Sequence, residues 1–306
     1  MSDSYISPTI ISGNFDRIFT EVEHSSSLGL INNNELRIFQ LLLQDYVFRF
    51  DFLQEFIEDN IGRYVFSRSA IDGLKSEGKE EAISLRAFKV LLKKGQVDVK
   101  GTGQELGELL IYAFLEQVLH APKLMSKVEL NTLGEPSEIE SIHLYSFTDN
   151  NTDIYQLIFG SSSIVGDLGE AIDEVGKSIN KIISTQKNQL QLIDANVLNS
   201  NFNEETAKKI KALIIPQKGS SLTPESAYGI FLGYTLGLQS AGKTPTQFAN
   251  DAAKKVKYDI ENCLQKLSEI INKSGLAGYS FYVYVLPFND AESDKKNIMK
   301  EVLGGV

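Results

Sequence analysis

The strongest constraint on how this chain folds is an ordered run of patterns between residues 102 and 183. Thr102-Gly103-Gln104-Glu105 has the T-x-x-E form of a capping box, with Thr102 at the N-cap and Glu105 at the third helical position. Leu106, Leu109, Leu110, Ala113, Phe114 and Leu115 then give the following helix a broad apolar face, as a helix sunk in a core requires. Residues 127–130, 142–147 and 154–159 read as strands. They are separated by the turn-rich Gly134-Glu135-Pro136-Ser137 and Asp149-Asn150-Asn151. A helix over about 166–183 closes the run. Helix, three-strand meander and helix make an α/β unit, and 306 residues allow one large domain or two modest ones.

The flanks read as mostly helical. Leu36, Phe39, Leu43, Tyr46 and Val47 recur at a helical period after Asn34, and further helices are expected over 51–60 and 83–94. Near the other end, Thr244-Pro245-Thr246-Gln247 supplies a Thr cap, a proline at the first helical position and a glutamine at the third. Phe248, Ala252, Val256, Ile260, Cys263, Leu267 and Ile270 then step by three or four, so Cys263 is read as a small buried hydrophobe. Residues 279–286 form a strand-like run before Pro287, and a strand so distant must join the earlier sheet. The expected organisation is a helical region over 1–100, a core over 101–295 with a helical insertion at about 200–273, and a tail over 296–306.

Charge and composition narrow the functional classes. Lys+Arg 30 against Asp+Glu 40 gives a net charge of −10, which argues against unaided nucleic-acid binding. Lys93, Lys94 and Lys100, and later Lys208, Lys209 and Lys211, are candidate phosphate-contacting patches, with solvated helix faces the plain alternative. A single cysteine excludes an internal disulfide framework, and the three histidines lack helical metal spacing. No secretory signal is visible, and the longest apolar stretch, 227–238, is short for a membrane span and studded with glycine. The expectation is a cytoplasmic protein without a membrane partner. Gly237-Leu238-Gln239-Ser240-Ala241-Gly242-Lys243-Thr244 matches the G-x-x-x-x-G-K-[ST] string of a phosphate-binding loop. Thr223-Pro224-Glu225 reads as a helix start, so the string is expected to follow a helix rather than the required buried strand. Nucleotide binding is therefore the least favoured functional class.

The remaining candidates are carboxylates. Glu105 and Glu108 stand i,i+3 on the capped helix; Glu105 has the capping task, whereas Glu108 has none beyond an ordinary solvated face. Gly107 beside it is costly inside a helix and points to a close approach by a neighbour. Glu138 and Glu140 precede the second strand at i,i+2. A Mg²⁺-dependent nuclease needs two or three converging carboxylates, often with a lysine at the attacking water. One arrangement takes a helix Glu, an acid from the next hairpin and E-x-K from a third strand.

Residues 103–114, then Ser141-Ile142-His143-Leu144-Tyr145, Gln156-Leu157-Ile158-Phe159-Gly160 and Val285-Leu286-Pro287-Phe288-Asn289-Asp290, carry a specific resemblance. The chain resembles HamA, the effector family of the bacterial Hachiman anti-phage system, and the related AbpA proteins. The similarity runs over roughly 60–295 and is strongest over 100–170. It implies a PD-(D/E)xK nuclease-like core, Mg²⁺ as cofactor, Glu108 and Glu140 as metal ligands, and a HamB-like helicase partner that delivers DNA. Family members carry Asp-Gly before Ile-His and Glu-x-Lys after Phe-Gly. Here Glu140-Ser141 stands at the first place, and Ser161 and Ser163 stand where the Glu and Lys are expected. Serine is a poor Mg²⁺ ligand and carries no charge, so the resemblance implies a catalytically impaired site. Asp149, Asp153 and Asp167 are the nearby carboxylates that could migrate in and keep an active nuclease alive as the rival reading.

Overall fold

The computed structural model describes residues 6–10, 14–30, 34–93, 103–133, 137–192, 198, 201–202, 204–214 and 224–304. At its centre is a seven-stranded sheet built from β1 (Phe19–Glu21), β2 (Asn34–Leu41), β5 (Lys123–Ser126), β6 (Ser141–Asp149), β7 (Thr152–Ile164), β8 (Glu225–Thr235) and β9 (Ser280–Phe288). The spatial order is β1-β2-β9-β8-β7-β6-β5. The four inner strands β2, β9, β8 and β7 run parallel, and antiparallel neighbours close both edges. A small separate hairpin, β3 (Leu43–Gln44) with β4 (Val47–Phe48), follows β2.

Helices cover both faces. On one lies α5 (Glu105–Gln117), whose Phe114 ring packs 4.9 Å from Phe39, 5.5 Å from Phe231 and 5.3 Å from Tyr284, centroid to centroid. On the other, α7 (Leu168–Leu192) and α9 (Pro245–Lys273) set Leu168, Ile172, Ile260 and Leu267 against Leu36, Leu232, Val283 and Val285. Parallel strands buried on both faces lose the polar-apolar alternation of half-buried strands. All nine residues of β9 are accordingly buried. The remaining helices are α1 (Phe15–Ile18), α2 (Asp51–Val65), α3 (Arg68–Ser76), α4 (Ile83–Lys93), α6 (Lys127–Leu130), α8 (Glu204–Ile214) and α10 (Ala291–Val302).

This is the mixed α/β, nuclease-like architecture that the middle of the sequence predicts, with several local corrections. The helix expected after Asn34 is β2, whose Leu36, Ile38, Phe39 and Leu41 are all buried. Residues 19–21 and 34–41 thus belong to the core sheet rather than to a helical N-terminal region. The strand expected at 127–130 is the one-turn helix α6, and the strand lies four residues earlier as β5. Within the expected helical insertion, the helix start expected at Thr223-Pro224-Glu225 gives way to a strand, since Glu225 opens β8; Thr223 lies outside the described residues. Helix α5 begins at Glu105 with Gln104 at the N-cap, so Glu105 opens the helix; Thr102, the expected cap, lies outside the described residues. The Thr244 capping box and the proline at the start of α9 are as expected.

Candidate active site

Four elements converge on a cavity of about 370 Å³ at the ends of β6 and β7. The first turn of α5 delivers Glu108. Gly107 makes this possible, because a Cβ there would stand 2.3 Å from the Oγ of Ser162. That is the close approach a glycine inside the helix implied. Along β7, Gly160 and Ser162 face α5, while Ser163 turns to the other layer and donates its hydroxyl to Glu174 Oε2 of α7 at 2.6 Å.

Glu140 sits just before β6, tied by its N–H to the Gly160 carbonyl at 3.1 Å. Ser162 lines the cavity beside the Glu140 carboxyl and favours its charged form, while Glu140 Oε2 has no hydrogen-bond partner among the described residues. Lys127 enters from the start of α6, whose cap is a reciprocal Ser126–Glu129 box. The Lys127 N–H donates to the Glu140 carbonyl at 2.8 Å, and its Nζ donates to Glu108 Oε1 at 2.7 Å. The other Glu108 oxygen accepts from the Tyr64 hydroxyl of α2 at 2.8 Å. Glu174, Glu292, Lys295 and Lys296 complete the rim. Lys295 is itself buried and donates to the Ile164 carbonyl at 2.6 Å while pairing with Glu292 at 3.0 Å.

Electrostatics follow from this packing. Burial raises the Glu140 carboxyl to about 8; Lys127 and the Ser162 hydrogen bonds pull it down, and Glu108 pushes it up. Burial also disfavours the Lys127 ammonium, yet Glu108 and Glu140 outweigh that and hold it above the ordinary lysine range. The cavity therefore holds the Lys127 ammonium in a close pair with Glu108, beside a Glu140 carboxyl that burial pushes toward its neutral form. Burial, with Glu108 next, likewise keeps Tyr64 protonated.

This donor set does not fit Mg²⁺, which requires near-octahedral oxygen ligation. Both Glu108 oxygens are engaged, by Tyr64 and by the Lys127 ammonium, and Ser162 offers only a hydroxyl. Among the described residues no three His, Cys, Asp or Glu side chains are grouped as a metal site.

Glu108 and Glu140 are thus brought together, but the two serines singled out in the sequence are not their partners. Ser161 is buried with an unpartnered hydroxyl and does not line the cavity. Ser163 reaches the rim with its hydroxyl turned to Glu174, and the serine on Glu140 is Ser162. Glu138 is exposed and pairs with Lys181 at 3.2 Å. Asp149 and Asp153 lie at the far end of the β6–β7 hairpin, and Asp167 accepts from the Glu170 N–H at the start of α7. None of these three lines the cavity. Lys208 and Lys209 pair with Glu204 and Glu205 along α8, and Lys94 and Lys100 lie outside the described residues.

The phosphate-loop string does follow a buried strand, β8, and precedes α9, which corrects the expected context. Its phosphate-binding groups are nevertheless taken. Lys243 Nζ pairs with Asp251 at 2.9 Å, Thr244 and Gln247 cap one another, and Pro245 has no N–H.

Sequence reasoning missed Lys127, Tyr64 and Ser162. A usable signal was present in Ser126-Lys127-Val128-Glu129, whose S-x-x-E form ends the strand and sets Lys127 at the first helical position. A search of the curated proteins finds no match to this chain. The family model described as HamA matches residues 16–302, spanning the sheet, both helical layers and every residue of the cavity, and the chain belongs to the HamA family.

Proposed function

We propose that this chain is the HamA-type subunit of an anti-phage defence complex, working with a helicase partner on DNA, with a nuclease-like cavity whose cleavage chemistry is impaired. Family membership supports the defence role. The observation that carries the impairment is the Glu108–Lys127 ion pair at 2.7 Å in the cavity that Glu140 and Ser162 also line. Two carboxylates that would share a metal in a nuclease are here engaged by an ammonium and by hydrogen bonds. Delivery of DNA by the partner accords with the net charge of −10 and with Lys208 and Lys209 being neutralised along α8. Among the described residues no helix is long and apolar enough to cross a membrane.

A second reading draws on the same lysine. Lys127 stands where a replacement for the missing E-x-K lysine could act, so an active Mg²⁺-dependent nuclease is the rival. The two separate in a plasmid-nicking assay with Mg²⁺ or Mn²⁺, run on the chain alone and with its helicase. The impaired reading expects no cleavage above the level of Glu108→Ala. Metal-dependent nicking that Glu108→Ala and Lys127→Ala both abolish would establish the rival.

A further inference from the structure

Lys127 is unusually well fixed for a lysine. Its backbone N–H is bonded to the Glu140 carbonyl at 2.8 Å, its helix is capped by Ser126, and its Nζ lies 2.7 Å from Glu108. The carboxylate it meets is fixed as well, since Tyr64 holds the second oxygen at 2.8 Å. Glu140, on the same cavity, is buried at 8% exposure and keeps one oxygen without a partner among the described residues. A buried carboxylate pair needs a positive charge nearby, and either a divalent ion or an ammonium can provide it. Lys295, a buried cation on the rim, is committed to the Ile164 carbonyl and Glu292.

We propose that Lys127 is a resident cation that competes with divalent metal for Glu108 and Glu140, so that its ammonium keeps the cavity closed to metal. This rests on the nuclease-derived reading of the cavity. Removing the ammonium leaves Glu108 and Glu140 lining a space of about 370 Å³, with one Glu140 oxygen unpartnered among the described residues. Binding of metal then restores the lost charge balance.

Mn²⁺ titration of the full-length chain, followed by the electron paramagnetic resonance signal of free Mn²⁺, tests this without any cleavage readout. The wild type is expected to bind no stoichiometric Mn²⁺, whereas Lys127→Met gains one site with at least about tenfold tighter binding. That gain should vanish in Lys127→Met/Glu108→Gln. Because Lys127→Met leaves Glu108 without its ion pair, Lys127→Gln serves as a milder variant, and thermal melting with and without Mn²⁺ reports on folding. Stabilisation of either variant by Mn²⁺, absent in the wild type, supports the proposal. Stoichiometric Mn²⁺ on the wild type lost in Glu108→Gln overturns it, as does a folded Lys127→Gln that binds no tighter than the wild type. Metal on the wild type without nicking would sink only the role of Lys127. Nicking seen only with the helicase, from a chain that binds no Mn²⁺ alone, would sink only the impaired reading.

Discussion

Burial lifts the Glu140 carboxyl to about 8, and this sets a pH dependence that can be measured. The folded pKa lies above the ordinary 4.5, so between those values the native chain holds a proton that the unfolded chain has released. The associated stability is full below 4.5 and is lost as pH rises through 8. His143 acts in the opposite sense. Burial holds it down at about 3, with the Ala121 carbonyl bonded to Nδ1, so its contribution is present above 6.5 and fades as pH falls. Urea unfolding of the wild type and Glu140→Gln from pH 5 to 9 separates the two effects. The wild type should lose stability relative to the variant as pH rises, and a constant difference would show that Glu140 is not held protonated. Glu108 and Glu140 were legible in the sequence because a helix position and the residue before a strand are local facts. Ser162 was not, because a shift of one residue on a strand moves a side chain to the other face.

Among the elements, α2, β5 and α6 are joined by one buried ammonium. Lys123 Nζ donates to the carbonyls of Arg63 at 2.8 Å, Tyr64 at 3.1 Å and Phe66 at 3.2 Å, and to Glu129 Oε2 at 2.8 Å. It therefore closes the C-terminal end of α2 while fixing the glutamate that caps α6. Those two helices place Tyr64 and Lys127 on either side of Glu108. Lys123→Met should cost about 3–5 kcal/mol, because it strands a buried carboxylate and the helix-end carbonyls together. Urea denaturation checks this, and a loss below ~1 kcal/mol would mean that water or another cation takes over. The sequence hid this arrangement because the segment after β5 was read as a strand, leaving Lys123 in a loop. It hid β2 and β8 for a related reason. A strand covered on both faces loses clean alternation, and in β2 Leu36 and Phe39, set among Arg37 and Gln40, fit a helical period as well. In β8 the run is broken by Gly229 and Gly233, where Leu115, Ile164 and Phe288 pack too closely for a Cβ.

At the scale of the whole molecule, the N-terminal segment is part of the sheet that carries the cavity. β2 lies parallel to β9 from Asn34 opposite Phe281 to Ile38 opposite Val285, and β1 covers the outer edge of β2. Farther upstream, the N–H groups of Thr9 and Ile10 donate to the fully buried Glu116 of α5 at 2.6 and 2.7 Å. The boundary at residue 100 expected from the sequence therefore cuts across the core. Removing residues 1–41 would bare the edge of β9, a strand whose side chains are all buried, and would leave Glu116 without its Thr9 and Ile10 donors. An exposed, flat, apolar edge of that kind pairs with other chains. The truncated chain should accordingly elute as aggregate in size-exclusion chromatography and show no cooperative thermal transition by circular dichroism. A monomeric, cooperatively melting product would mean that β9, β8 and β7 hold their register without β2. In that case the N-terminal hundred residues would be an appendage to the core, and the cavity would owe them only Tyr64.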